Sequence, residues 1–167
     1  MLNDLQVITR YGITLRLVEL RDAAFILALR NDQELSKHLS ATSNKLENQI
    51  NWLHEYKKRE QLGEEYYFVA VDDMDRPWGT TRLSELKGTC FEIGSWLFAK
   101  DAPSGMAIKA DIITREIGYD LLSFDCGKFN VRKANKAVWR YHLRYAPEQV
   151  NEDELNGFFR LSKSSFE

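Results

Sequence analysis

The sequence predicts one mixed α/β domain on a central, mostly antiparallel sheet of six to seven strands flanked by about four helices. Three observations carry this. Segments follow one another as strand, two helices, three strands, helix, strand, helix, strand. Three consecutive strands joined by short polar turns call for antiparallel pairing. No repeat, low-complexity tract or linker interrupts the 167 residues, so residues 1–167 read as a single domain.

Ile13–Leu17 alternates apolar and polar residues and predicts the first strand. Arg21–Arg30 spaces Phe25, Ile26 and Leu29 for one buried helix face. Asn44 with Glu47 three residues on resembles a capping box opening a longer helix. Leu46, Ile50 and Leu53 share one side of that helix, and Gly63 marks its stop. Tyr66–Val71 (YYFVAV) is dense in aromatic and β-branched residues, so it predicts a second strand. Asp72–Pro77 is turn chemistry, and Trp78–Leu83 returns as the third. Phe91–Phe98 is the fourth strand, and Gly105–Leu122 is a helix with the stripe Ala110, Ile113, Ile117 and Leu121. Phe129–Arg132 is the fifth strand, Asn135–Arg144 a short helix ended by Pro147, and Gly157–Leu161 a closing strand.

Composition bounds the function. The chain is 44% hydrophobic with a net charge of −2, enough for a core and without the basic excess of a nucleic-acid binder. Asp4, Arg10, Arg16 and Glu19 break up any signal-peptide segment, and no apolar run reaches membrane-spanning length. The two cysteines, Cys90 and Cys126, show neither CxxC nor metal spacing, so reduced thiols in a cytoplasmic protein with no metal are expected.

Phe91–Asp111 concentrates the chemistry. A strand runs through Pro103, Ser104 and Gly105 directly into a helix. The first N–H groups of a helix lack internal partners and sit at the positive end of its dipole, which makes a cradle for phosphate. A nucleotide-type cofactor is expected there.

The order of elements, with this loop between the fourth strand and the following helix, resembles the GNAT superfamily of acetyl-CoA-dependent N-acetyltransferases. The segment Glu92-Ile93-Gly94, Trp96-Leu97, Gly105 and Ala107 is similar to the branch that acetylates ribosomal proteins. The family's Q/R-x-x-G-x-G/A signature keeps here only its second half, Gly105-Met106-Ala107; Ala102 stands in place of Gln/Arg, and Pro103 lacks an N–H. The resemblance implies a sheet splayed between the fourth and fifth strands. Pantetheine would lie along the backbone of Trp96, Leu97 and Phe98, and the pyrophosphate on Ser104, Gly105 and Met106, helped by Lys100.

Asn130–Ala146 is similar to the family's strand–helix segment in which an Asn opens the helix and an aromatic residue seven positions on faces the thioester. Asn135 fits the first role and His142 occupies the second, where the family usually has a Tyr as general acid. An imidazole titrating near neutral pH would protonate the departing thiolate. Glu92 or Glu85 is the carboxylate for amine deprotonation, with a water relay as the alternative. Arg30-Asn31-Asp32, Gln49-xx-Trp52 and Tyr66-Tyr67-Phe68 are similar to GNAT enzymes that acetylate nucleotide-linked amino sugars for surface polysaccharides. Arg30 and Asn31 are therefore candidate acceptor contacts. The alternatives are an N-terminal protein amine as acceptor, or a non-catalytic acyl-CoA-binding domain. The small-molecule reading involves neither nucleic acid nor membrane, and leaves room for a homodimer.

Each residue also has an ordinary reading: Ser104-Gly105 as a plain helix start, Asn135 as an N-cap, Arg30 as a complement to the helix dipole, Glu92 as a solvent-facing carboxylate, and His142 as a partly buried histidine.

Overall fold

The YYFVAV strand sets the architecture, because it is buried at all six positions and needs cover on both faces. In the computed structural model, which describes residues 2–32 and 45–167, it is β3 of an eight-stranded sheet. The strands are β1 (Val7–Arg10), β2 (Ile13–Leu17), β3 (Tyr66–Val71), β4 (Pro77–Ser84), β5 (Phe91–Phe98), β6 (Cys126–Arg132), β7 (Glu148–Glu152) and β8 (Asn156–Ser162). Their order is β1-β2-β3-β4-β5-β6-β8-β7, and only β5–β6 is parallel. Six helices lie among the described residues: α1 (Leu2–Leu5), α2 (Ala23–Asn31), α3 (Leu46–Gln61), α4 (Met106–Glu116), α5 (Lys136–Leu143) and α6 (Lys163–Phe166).

The sheet separates two cores. Tyr66, Phe68 and Ala70 of β3 join Leu15, Leu83, Phe91, Ile93, Ala110, Ile113 and Ile117 under α4. Tyr67, Val69 and Val71 face the other way, against Ala23 and Ile26 of α2 and Leu53 and Tyr56 of α3. The period of two along one strand thus feeds both layers. A smaller cluster of Phe129, Val131, Phe159 and Leu161 carries α5 on β6 and β8.

Two edge strands, β1 and β7, exceed the predicted count. All five residues of β7 are exposed, so it carries no apolar alternation to read. Asn44 lies outside the described residues; α3 starts after Lys45, whose side chain does not cap it, and ends before Gly63, whose φ of +69° suits the left-handed stop. The predicted α3 stripe is corrected. Leu46 is exposed, and the buried positions are Gln49, Leu53, Tyr56 and Glu60; the Tyr56 hydroxyl bonds Glu60, so polar side chains fill the face. Leu121 also leaves its stripe. The chain widens to a π-turn at Ile117–Leu121, with Leu122 N–H reaching Ile117 C=O at 2.9 Å, and Leu121 rotates to the surface.

Cys90 and Cys126 are joined by a disulfide, which corrects the expectation of reduced thiols. They stand at the start of the parallel pair, where Phe91 faces Gly127, with Cα atoms 4.6 Å apart. The contact is tertiary, across 36 residues, so no local spacing announces it. Reduction, or Cys126→Ser, is expected to lower the unfolding free energy by about 2–4 kcal/mol in a denaturant melt. Coincident melts with and without reductant would contradict this.

Candidate active site

The parallel register of β5 and β6 lasts for only two pairs, Phe91↔Gly127 and Glu92↔Lys128. Beyond Glu92 the strands part. A cleft of about 710 Å³ opens between them, lined from Ile93 to Phe98 on one side and from Phe129 to Arg132 on the other. The backbone edge of β5 therefore presents unpaired amide and carbonyl groups to the cleft, which must be satisfied by water or a ligand. On its other edge β5 carries a bulge, because Thr80 pairs with Leu97 while Arg82 pairs with Gly94. Ser95 takes a positive φ of 49° there, and its carbonyl accepts from Thr80 Oγ1 at 2.7 Å. The bulge turns β5 away from β6.

The far end of the cleft is the start of α4. Gly105, the N-cap, has φ +77°, and Pro103, Ser104 and Gly105 are exposed. Among the described residues, the amides of Ser104, Gly105, Ala107 and Ile108 donate to no backbone carbonyl. The Met106 amide does: it bonds Pro103 C=O at 3.1 Å, and the Met106 side chain is buried in the core. The Met106 amide is thus already engaged, and among the described residues the donors without a backbone acceptor are its neighbours. The Trp96 indole Nε1–H donates to Ala107 C=O at 2.9 Å, fixing β5 to the first turn of α4. Trp96, Leu97, Phe98, Ala107 and Asn135 line the cleft, whereas Lys100 is exposed on the loop beyond β5. Asn135 Oδ1 caps α5 by accepting from Val138 N–H at 3.3 Å, so the ordinary N-cap reading is correct for its oxygen. Its Nδ2 donors are uncommitted by that bond. Arg132 and Lys136 add positive charge to the lining and were not foreseen.

Below the cleft, between α4 and α5, lies a buried polar network. Asp111 and Arg115, one turn apart on α4, form an ion pair at 2.9 Å with both side chains wholly inaccessible. Tyr141 donates its hydroxyl to Asp111 Oδ2 at 2.7 Å. Arg115 Nη2 lies 3.2 Å from His142 Nδ1. His142 lines the cleft and is 6% exposed. Burial is the main cause that pushes the ring down to about 4, with Arg115 adding to it and Asp111 opposing. At neutral pH the ring is neutral, which corrects the expectation of a group titrating near 7. Burial, then the Asp111 charge, hold the Tyr141 hydroxyl protonated.

Glu92 stands at the closed apex, half-buried, opposite Ser84 and beside Lys128. Burial and then the neighbouring Glu85 raise its carboxyl, while Lys128 ion-pairs with Glu85 at 2.6 Å. By strand alternation Glu92 points to the α2–α3 side, because Phe91 and Ile93 pack into the opposite core. Arg30 is half-buried in the last turn of α2, the helix that packs on β4 and β5, and Asn31 is exposed beside it. The predicted residues thus form two groups. His142 and the β5–α4 set meet at the cleft, and Glu92, Arg30 and Asn31 lie on the other side of the sheet.

An open seam between parallel strands, leading to free amides at a helix start, is the frame of an acyl-group transferase for a long phosphorylated thioester. Residues 13–146 match the family model of the acetyltransferase (GNAT) domain. The chain belongs to the GNAT acetyltransferase family and is an acetyltransferase. Among solved structures it is similar to one described as apo FdhC, a nucleotide-linked sugar GNAT, with 33% identity, a TM-score of 0.84, and coverage of 97% of this chain and 91% of that one. A ribosomal-protein-S5-alanine acetyltransferase from Vibrio fischeri shares the fold at 15% identity, with a TM-score of 0.80 over 96% of this chain and 98% of that one. So does a spermidine N-acetyltransferase from Vibrio cholerae in complex with CoA and spermine, at 16% identity, with a TM-score of 0.75 over 94% and 99%. No curated protein sequence matches the chain.

Proposed function

We propose that this chain transfers an acetyl group from acetyl-CoA to the amino group of a nucleotide-linked amino sugar, of the kind used in surface polysaccharides. The observation that carries the acceptor is the 33% identity, over nearly the full length of both chains, to a nucleotide-linked sugar GNAT. The neighbours at 15–16% identity speak to the fold alone.

Acetyl-CoA, when bound, supplies the acetyl group as a thioester, and the residues of the cleft suit it. Trp96, Leu97 and Phe98 offer backbone groups for the pantetheine amides, as a missing strand would. Ser104, Gly105, Ala107 and Ile108 offer amides to the pyrophosphate, with Lys100 and the α4 dipole adding positive potential. Asn135 Nδ2 adds a donor from the far wall. An amide of the bulged β5 polarises the thioester carbonyl. The acceptor enters from the α2–α3 side, with Arg30 and Asn31 near its phosphates. Glu92, with its raised carboxyl, is placed on that side to take a proton from the amine, directly or through water.

Steady-state assays with acetyl-CoA test the acceptor. Turnover is expected with a nucleoside-diphosphate amino sugar, and little with an N-terminal alanine peptide or spermidine. Activity on the peptide alone would replace the sugar reading by the ribosomal-protein one.

A further inference from the structure

Asp111 and Arg115 are an unusual outlay for a helix interior. Replacing a buried ion pair by apolar residues is often neutral or stabilising, so volume alone does not account for it. The pair also underlies the cleft: Asp111 and His142 both line it. The bonding directions are fixed by chemistry. A guanidinium has donors and no acceptor, so at 3.2 Å Arg115 Nη2–H donates to His142 Nδ1. The ring's hydrogen therefore sits on Nε2. Tyr141 has one hydroxyl hydrogen, given to Asp111 Oδ2 at 2.7 Å. Its contact with Tyr145 at 3.2 Å must then run from the Tyr145 hydroxyl to the Tyr141 oxygen. Tyr141 has no hydrogen left for the cleft.

We infer that Arg115 and Asp111 are positioning residues that fix His142 as a neutral Nε2–H donor to the departing thiolate and withdraw Tyr141 from that task. This rests on the acetyl-transfer reading and names the group that meets the sulfur. As the C–N bond forms and the C–S bond breaks, sulfur leaves as thiolate, stabilised by the Nε2–H hydrogen bond. The imidazole keeps its proton, since an imidazolate is far too basic to form. The proton lost by the amine nitrogen passes to Glu92 or water, and the thiolate takes one from solvent. The charged and titratable groups facing the ring are Arg115 and Asp111 from α4 and Tyr141 beside it on α5; Trp96 of β5 and Phe129 of β6 complete the surround.

Two measurements test this. Long-range ¹⁵N–¹H correlation spectra of the intact chain, without substrate, are expected to show His142 as the Nε2–H tautomer with Nδ1 accepting a hydrogen bond, and no protonation between pH 8 and 5. An Nδ1–H tautomer, or a midpoint near the ordinary 6.5, overturns the inference, whatever the acceptor proves to be. Kinetically, His142→Phe is expected to lower kcat by about 10²-fold, the scale of one lost transition-state donor, while KM for acetyl-CoA stays near wild type. His142→Gln, which keeps an N–H at the same reach, should recover most of that loss. The double variant Asp111→Leu/Arg115→Met should fold, bind acetyl-CoA normally and turn over about tenfold more slowly. Equal rates for His142→Phe and His142→Gln, or wild-type kcat in the double variant, would overturn it. Absence of turnover on any amine, with the tautomer as expected, instead removes the acetyl-transfer reading.

Discussion

Gly105→Glu is expected to leave the fold intact and to weaken CoA binding by about 30- to 1,000-fold. The residue caps α4 with φ +77°, and a Cβ built on it meets nothing within 4 Å. A Cβ there meets no described atom, and the exposed position leaves the rest of the side chain solvent to extend into; the left-handed backbone costs about 1–2 kcal/mol. A carboxylate at a helix start is itself favourable to the helix, because it lies at the positive end of the dipole. The same position is where a diphosphate would sit. Repulsion between a carboxylate and a partly exposed phosphate about 4 Å away is of order 1–4 kcal/mol. Loss of the vacated volume and of the free amides adds to it, and each 1.4 kcal/mol is about tenfold in affinity. Calorimetry with CoA reads the effect, and Gly105→Ala, without the charge, should lose far less. Normal affinity in Gly105→Glu would move the pyrophosphate away from α4.

Asp111→Ala is expected to cost about 3–5 kcal/mol of stability, because it leaves the Arg115 guanidinium charged and wholly buried. For a chain of this size that is roughly a 10 °C fall in Tm. Among the described residues, Arg115 Nη1 and Asp111 Oδ1 have no hydrogen-bond partner, so no described acceptor stands ready to replace the lost carboxylate. Contacts of Arg115 over the Phe129 ring at 5.0 Å and the Tyr145 ring at 5.5 Å would remain, and supply only a fraction of what the carboxylate did. The double variant Asp111→Leu/Arg115→Met removes both charges and should recover most or all of the loss. Thermal melts of the single and double variants form the cycle. A cost below about 1 kcal/mol for Asp111→Ala would mean that water reaches the pair.

The strands rich in apolar, aromatic and β-branched residues were legible in the sequence. Ile13–Leu17, Tyr66–Val71 and Phe91–Phe98 fall where the apolar pattern places them. What escaped were elements whose burial is decided by neighbours. β7 is an edge strand with no buried residue, and Leu121 turns outward only because the helix widens at Ile117. The Cys90–Cys126 bond depends on two strands starting side by side.

The site divides in the same way. Ser104-Gly105 at the start of α4 could be read locally, because an open helix start needs only adjacent residues. That the Met106 amide is spent on Pro103 could not, since it depends on the turn's geometry. Asp111 and Arg115 look like an ordinary exposed i,i+4 pair. No local signal separates them from such a pair, because their burial comes from α5 and β6 packing over that side of α4. His142 was singled out by resemblance, but its neutrality comes from burial and from Arg115, both supplied by packing.

Hydrogen exchange with and without CoA reads directly the backbone amides that would hold the coenzyme. Protection on adding CoA is expected at Ser104, Gly105, Ala107 and Ile108 and along Gly94–Phe98, with little change on β1 and β7. Protection confined to other segments, with those amides exchanging as before, would contradict the placement of the coenzyme between β5 and β6.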